Sequence, residues 1–133
     1  MGLFSGKRPT NLGIKNGRLA DCPKKPNSVS SHAEGAHFIA PLAFADIPEK
    51  AWKDLVDALA AHPDIQIVHS SENYMHAECK TPGLGFIDDL EFYLPVGSAA
   101  IHVRSASRLG YSDFGKNRQR VEAIREAFLA RGK

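Results

Sequence analysis

The chain has 133 residues, 43% of them hydrophobic and 24% charged, with a net charge of +2. That suffices for one domain with a buried core, and the composition is ordinary for a globular protein. No apolar run approaches the ~20 residues that a membrane-spanning helix needs.

Met1 to His32 is rich in Gly, Pro, Lys, Asn and Ser and has no helical or strand period, so it reads as an extended arm or loop. Residues 1–17 are expected to be a flexible tail and residues 18–133 a single domain. The opening MGLFSGKRPT lacks the long apolar region of a secretory signal, and Gly6 stands where myristoylation wants Ser or Thr. The expected location is cytoplasmic. Cys22 and Cys79 match no redox or zinc spacing, and Cys79 reads as a small buried hydrophobe. Prolines 23 and 26 stiffen the end of the arm, which suggests that residues 19–31 lie across the domain.

His37–Phe44 is a short apolar run broken by Pro41, suited to an edge strand or a bulge. Asp46-Ile47-Pro48-Glu49 reads as a helix start with Asp46 as cap. Trp52, Leu55, Val56, Leu59 and Ala60 continue it as one apolar stripe, which His62-Pro63 ends.

Four strands follow. Ile65–Ser70 and Tyr74–Lys80 form a hairpin, with Ile65 opposite Cys79, Ile67 opposite Ala77, and a three-residue loop in which Asn73 takes the left-handed position. That register sends His69 and His76 to opposite faces. Phe86–Leu94 alternates, with Phe86, Leu90, Phe92 and Leu94 on one side and Asp89, Glu91 and Tyr93 on the other. The strand from Ile101 pairs with it so that Leu94 meets Ile101, Phe92 meets Val103, Tyr93 meets His102, and Glu91 meets Arg104. A last helix, capped by Ser112 or Asp113, carries Val121, Ile124, Phe128 and Leu129.

The expected fold is therefore α+β. It is a two-layer structure with a largely antiparallel sheet of about four to five strands, two helices on one face and an extended N-terminal arm. The opposite face collects Tyr74, His76, Glu78, Asp89, Glu91, Tyr93, His102 and Arg104. It is expected to be wet, as one face of an antiparallel sheet often is; the alternative is a polar pocket roofed by the arm.

From Arg104 onward the chain has 8 basic and 3 acidic residues, against 9 and 12 in the rest. Arg104, Arg108, Arg118 and Arg120 surround a helix start, where free backbone N–H groups favour an anion. The expected site is anion-binding: Arg104, Ser105, Ser107, Arg108, Ser112, Asn117 and Arg118. The competing reading pairs these arginines with Asp88, Asp89, Glu91 and Asp113 and makes them scaffold. No zinc or nucleophile motif is present, so no metal or cofactor is expected. His76, Glu78 and His102 form the one metal-like constellation. Aromatic residues do not interleave with the basic ones, which speaks against nucleic acid.

Val103-Arg104-Ser105-Ala106-Ser107-Arg108, Gly110-Tyr111-Ser112-Asp113, Gly115, Asn117-Arg118 and Arg120-Val121-Glu122 resemble the family catalogued as domain of unknown function fourteen-ninety-nine. Pro26-Asn27-Ser28-Val29-Ser30-Ser31 and Gly85-Phe86-Ile87-Asp88-Asp89-Leu90-Glu91-Phe92 share the resemblance, which covers about residues 18–125. It implies bacterial or organellar relatives, some with export or membrane signals, and no assigned activity or cofactor. Where the family often has Cys after the position of Cys22, this chain has Ser28, which weakens a redox reading. The family's motif residues suggest that Asn27, Ser28 and Ser30 dock near Asp89, Glu91, Arg104 and Arg108. Tyr93, His102 and Asp113 complete the supporting set. The expected function is a non-enzymatic binding module for a small anionic ligand or an acidic protein partner. The alternative is an acid–base enzyme using His102 or His76 with Asp89 or Glu91.

Overall fold

The computed structural model describes residues 6–132, so readings of the first five residues lie outside it. The elements run β1 (Ser28–Ser30), a 3-10 turn (Gly35–His37), β2 (Leu42–Ala43), α1 (Pro48–Ala60), β3 (Ile65–Ser70), β4 (Tyr74–Lys80), β5 (Ile87–Tyr93), β6 (Ala100–Ser107) and α2 (Lys116–Arg131). The fold is α+β with a six-stranded open sheet in the order β1-β6-β5-β4-β3, and β2 also pairs with β6. Every ladder between named strands is antiparallel.

The β5–β6 register is the expected one: Phe92 pairs with Val103, Tyr93 with His102, and Glu91 with Arg104. Any other parity would have pushed Phe92 off the core face, so burial of this side chain fixes the ladder. The β3–β4 hairpin starts as expected, with Ile65 opposite Cys79 and Ile67 opposite Ala77, and then slips by one between Ile67 and His69. Beyond the bulge His69 pairs with His76, contrary to the expected placement on opposite faces. The same slip tightens the turn: Ser71 N–H donates to Tyr74 O (2.8 Å), and Asn73 keeps a negative φ. A bulge inserts an unpaired residue, so alternation read from one end of a strand fails past it.

Helix α1 begins at Pro48, whose missing N–H costs nothing in a first turn. Asp46 does not cap it; Ile47 holds that position, and Asp46 pairs with Lys50 at 3.3 Å. The α1 stripe of Trp52, Leu55 and Leu59 joins Val121, Ile124 and Phe128 of α2 against Met75, Ala77, Leu90, Phe92, Ile101 and Val103 of the sheet. Each such side chain stabilises by roughly 1.5–3 kcal/mol, which makes this cluster the main source of stability. Leu129, expected in the stripe, is 48% exposed.

The other sheet face is not wet, as expected of it, but covered. Glu91 is 0% exposed, Asp89 1% and Arg104 4%. Its cover is the arm. Gly13 N–H donates to Glu91 Oε2 (2.7 Å), Arg8 pairs with Glu78 (2.7 Å), and Arg104 Nη2 donates to the Asp21 carbonyl (3.2 Å). Leu19 of the arm is buried. Contacts with the body thus begin before residue 18.

Candidate functional site

Strand parity places Ser30, Tyr74, His76, Glu78, Asp89, Glu91, Tyr93, His102 and Arg104 on the covered face. Arg108, just past β6, turns back onto the same face. Its Nε and Nη2 grip the two Asp89 oxygens (2.8 and 2.9 Å), and Nη2 also reaches Glu78. His76 Nε2 lies 2.8 Å from Asp89 Oδ1. Burial would raise the Asp89 pKa, but the hydrogen bonds from Arg108 and His76 outweigh it and hold the carboxyl below its usual range. Next along, Glu91 accepts from Tyr74 Oη (2.5 Å) and Gly13 N–H, with Arg104 Nη1 3.5 Å from its other oxygen. Burial first, and then the Glu91 hydrogen bond, push the Tyr74 pKa well up, so this phenol stays protonated.

The ligand atoms of His76, Glu78 and Asp89 lie within 4.8 Å of one another, which is metal-like spacing. Asp89 takes the place that the sequence reading gave to His102. The guanidinium of Arg108 already occupies the cationic centre of this trio, so a metal could enter only by displacing it.

The expected anion site divides between the two faces of β6. Arg104 and Arg108 lie on the covered face, each with a carboxylate partner. Ser105 and Ser107 lie on the helix face, where Asn117 gathers them. Asn117 Oδ1 accepts from Ser105 Oγ (2.6 Å), while Nδ2 bonds to Ser107 Oγ (2.9 Å), Asp113 Oδ2 (2.7 Å) and the Asn27 carbonyl (3.0 Å). Asp113 also accepts from Asn117 N–H and Gly115 N–H, so it serves the helix start although Gly115 is the cap residue. Ser112 Oγ accepts from Phe114 N–H. Arg118 points elsewhere and donates to the Ala36 carbonyl (2.8 Å). Asn27 Nδ2 donates to the Gly110 carbonyl (3.0 Å), which joins the end of the arm to the loop before α2. Arg120 pairs with Asp88 at 2.7 Å beneath the helix.

A family model described as Protein of unknown function (DUF1499) matches residues 18–128. The chain belongs to the DUF1499 family. No curated protein matches it.

In this DUF1499 domain the junction between β4 and α2 holds something that the motif did not point to. A cleft of about 340 Å3 opens between the end of β4 and the first turns of α2. Lys80, Lys116, Arg120 and His62 line it, together with Asp64, Gln119 and an apolar floor that includes Cys79, Ala58 and Ile124. Neither Lys80 nor Lys116 has an ion-pair partner among the described residues. Burial pushes the Cys79 thiol up, with Arg120 opposing, so it sits in the floor as a protonated thiol. Sequence reading missed Lys80 and Lys116 because nothing in their spacing marks two residues that only the tertiary fold brings to one cleft.

At the arm's other end His32 stacks on His102 with ring centroids 4.0 Å apart. His32 Nδ1 accepts the Leu19 N–H (3.1 Å), and Ser31 Oγ lies 2.9 Å from His102 Nδ1. Burial, then His102 and Arg18, bring the His32 pKa down to about 4. Burial lowers His102 as well. Unfolded, each would titrate near 6.5. Between about pH 6.5 and 4 the unfolded chain therefore takes up protons that the folded chain refuses. Stability from this pair is complete above pH 6.5 and is lost as pH falls through that window. Melting temperature followed from pH 7.5 to 4 should drop, and His32→Gln, which keeps an acceptor without the titration, should flatten the slope. An unchanged slope in that variant would assign the acid loss to other groups.

Proposed function

We propose that this chain is a non-enzymatic binding module that takes a small organic anion, not at the expected junction of residues 104–118 but in the cleft between β4 and α2. The observation that carries this reading is that Lys80 and Lys116, neither of them ion-paired among the described residues, line one cleft together with Arg120 and apolar side chains. On the covered face, Arg104 and Arg108 are already matched to carboxylates. At about 340 Å3 the cleft falls within the size range of small-molecule sites, and its lining suits an apolar body with a carboxylate or phosphate head. The larger cleft bounded by Phe44, Phe128 and Leu129 has Asp46 and Asp54 but no cationic residue in its lining, whereas the cleft between β4 and α2 sets Lys80, Lys116 and Arg120 beside Asp64.

The reading is tested by titrating phenyl phosphate, benzoate and inorganic phosphate at low salt and following melting temperature. A saturable rise with the aromatic anions is expected, and Lys80→Glu with Lys116→Glu should remove it while leaving the unliganded melting temperature nearly unchanged, since both side chains are exposed. No stabilisation by any of the three probes would end the proposal. The alternative, an acid–base enzyme on the covered face, has less support: His76, Asp89 and Glu91 are each engaged by a neighbour, and none of the three lines any of the five main clefts among the described residues.

A further inference from the structure

From the way the arm is held, we infer that the covered sheet face is a peptide-docking surface, and that its partner is an extended protein segment with the arm's own chemistry. Residues 8–22 contribute no ladder to the main sheet. What fixes them is a series of separate recognition contacts, each of a kind used to bind a peptide in trans. A basic side chain, Arg8, meets the carboxylate of Glu78. A backbone amide, Gly13 N–H, donates to the buried carboxylate of Glu91. An apolar side chain, Leu19, is fully enclosed, and its own N–H is received by His32. A backbone carbonyl, that of Asp21, accepts from Arg104.

These groups belong to four different segments of the body, so the reader is preassembled by the sheet and only the peptide is irregular. Gly13 lies at φ +103°, a conformation that glycine adopts without strain, and an added Cβ there would meet nothing within 4 Å. The constraint at this position is thus the backbone amide and its turn, not a lack of space. The receiving face keeps unmet capacity as well: Glu91 Oε1 and Arg104 Nε are buried without a hydrogen-bond partner among the described residues. A segment that supplied a further donor and acceptor at that point would bind more completely than the arm does. The partner's pattern is a basic residue, a glycine five positions on, and a leucine six beyond that, as in Arg8, Gly13 and Leu19. This surface is separate from the cleft between β4 and α2 and stands or falls independently of it.

A tethered arm competes at an effective concentration in the millimolar range, so an incoming peptide is masked until the arm is weakened. The test uses a fluorescent synthetic peptide of residues 6–22 and the full-length chain. Gly13→Pro removes the central N–H of the tethered arm; Arg8→Glu, at an exposed position, removes its outer ion pair without touching the core. Gly13→Pro should bind the wild-type peptide about tenfold or more tightly than the unmodified chain does, and Arg8→Glu should gain by a smaller factor because its ion pair is largely exposed. Peptides that themselves carry Gly13→Pro or Leu19→Asp should lose that gain, a control that places no demand on protein folding. The inference is overturned if the wild-type peptide binds no better than a scrambled one to either variant, or if the altered peptides bind equally well.

Discussion

Replacing Arg108 with Met should destabilise the fold by about 3–5 kcal/mol, the cost expected when a buried charge loses its counter-charge. Its guanidinium is the main positive charge facing Asp89, which is 1% exposed, and it also neutralises Glu78. Methionine fills similar space, so the loss is electrostatic rather than a cavity. Chemical denaturation at pH 7 measures it. Asp89→Asn in the same background should recover a good part of the stability, because removing both members of a buried pair costs far less than removing one. If the Met variant were as stable as the parent, the ion network on the covered face would be ornamental.

The second large effect is expected at Asn117. This side chain ties the arm, β6 and α2 together: it bonds the Asn27 carbonyl, Ser105, Ser107, Asp113 and Arg120, and it is fully buried. Alanine leaves several buried polar groups without a partner at about 1–3 kcal/mol each, so a total of roughly 3–4 kcal/mol is a reasonable expectation. Asn117→Asp is the sharper probe. It keeps the shape but sets a carboxylate 2.7 Å from Asp113 Oδ2, where Nδ2 now donates. Both variants should melt roughly 10 °C or more below the parent. Should Asn117→Asp melt with the parent, with Arg120 absorbing the new charge, the amide would not be the group that matters.

Much of the fold could be read directly. Alternation in β5 and β6 was clean because one side faces Phe128 and Trp52 and the other faces charge, so cross-strand complementarity selected a single register. Both helices were visible from their stripes. What escaped was whatever depends on meetings distant in sequence. The slip after Ile67 has no local signature. The arm has no period: its prolines suggested that residues 19–31 lie across the domain, but the Gly13 amide on Glu91 was invisible, and the charged face was expected to be wet. The arginine motif was read as one site because its members are close in sequence, yet β6 alternates: Arg104 goes under the arm while Ser105 goes under α2. The free lysines of the cleft come from β4 and α2, far apart in the chain.

The sheet order has a consequence for biosynthesis. Strand β1, made before every other named element of this domain, has the last strand, β6, as its ladder partner, and β2 waits for the same one. Neither can be completed until residue 107 has emerged. The arm and its buried leucine therefore stay exposed until β6 has been made, and closure of this domain is a late, long-range event. A nascent chain stalled before β6 should present its first forty or so residues to proteases and chaperones.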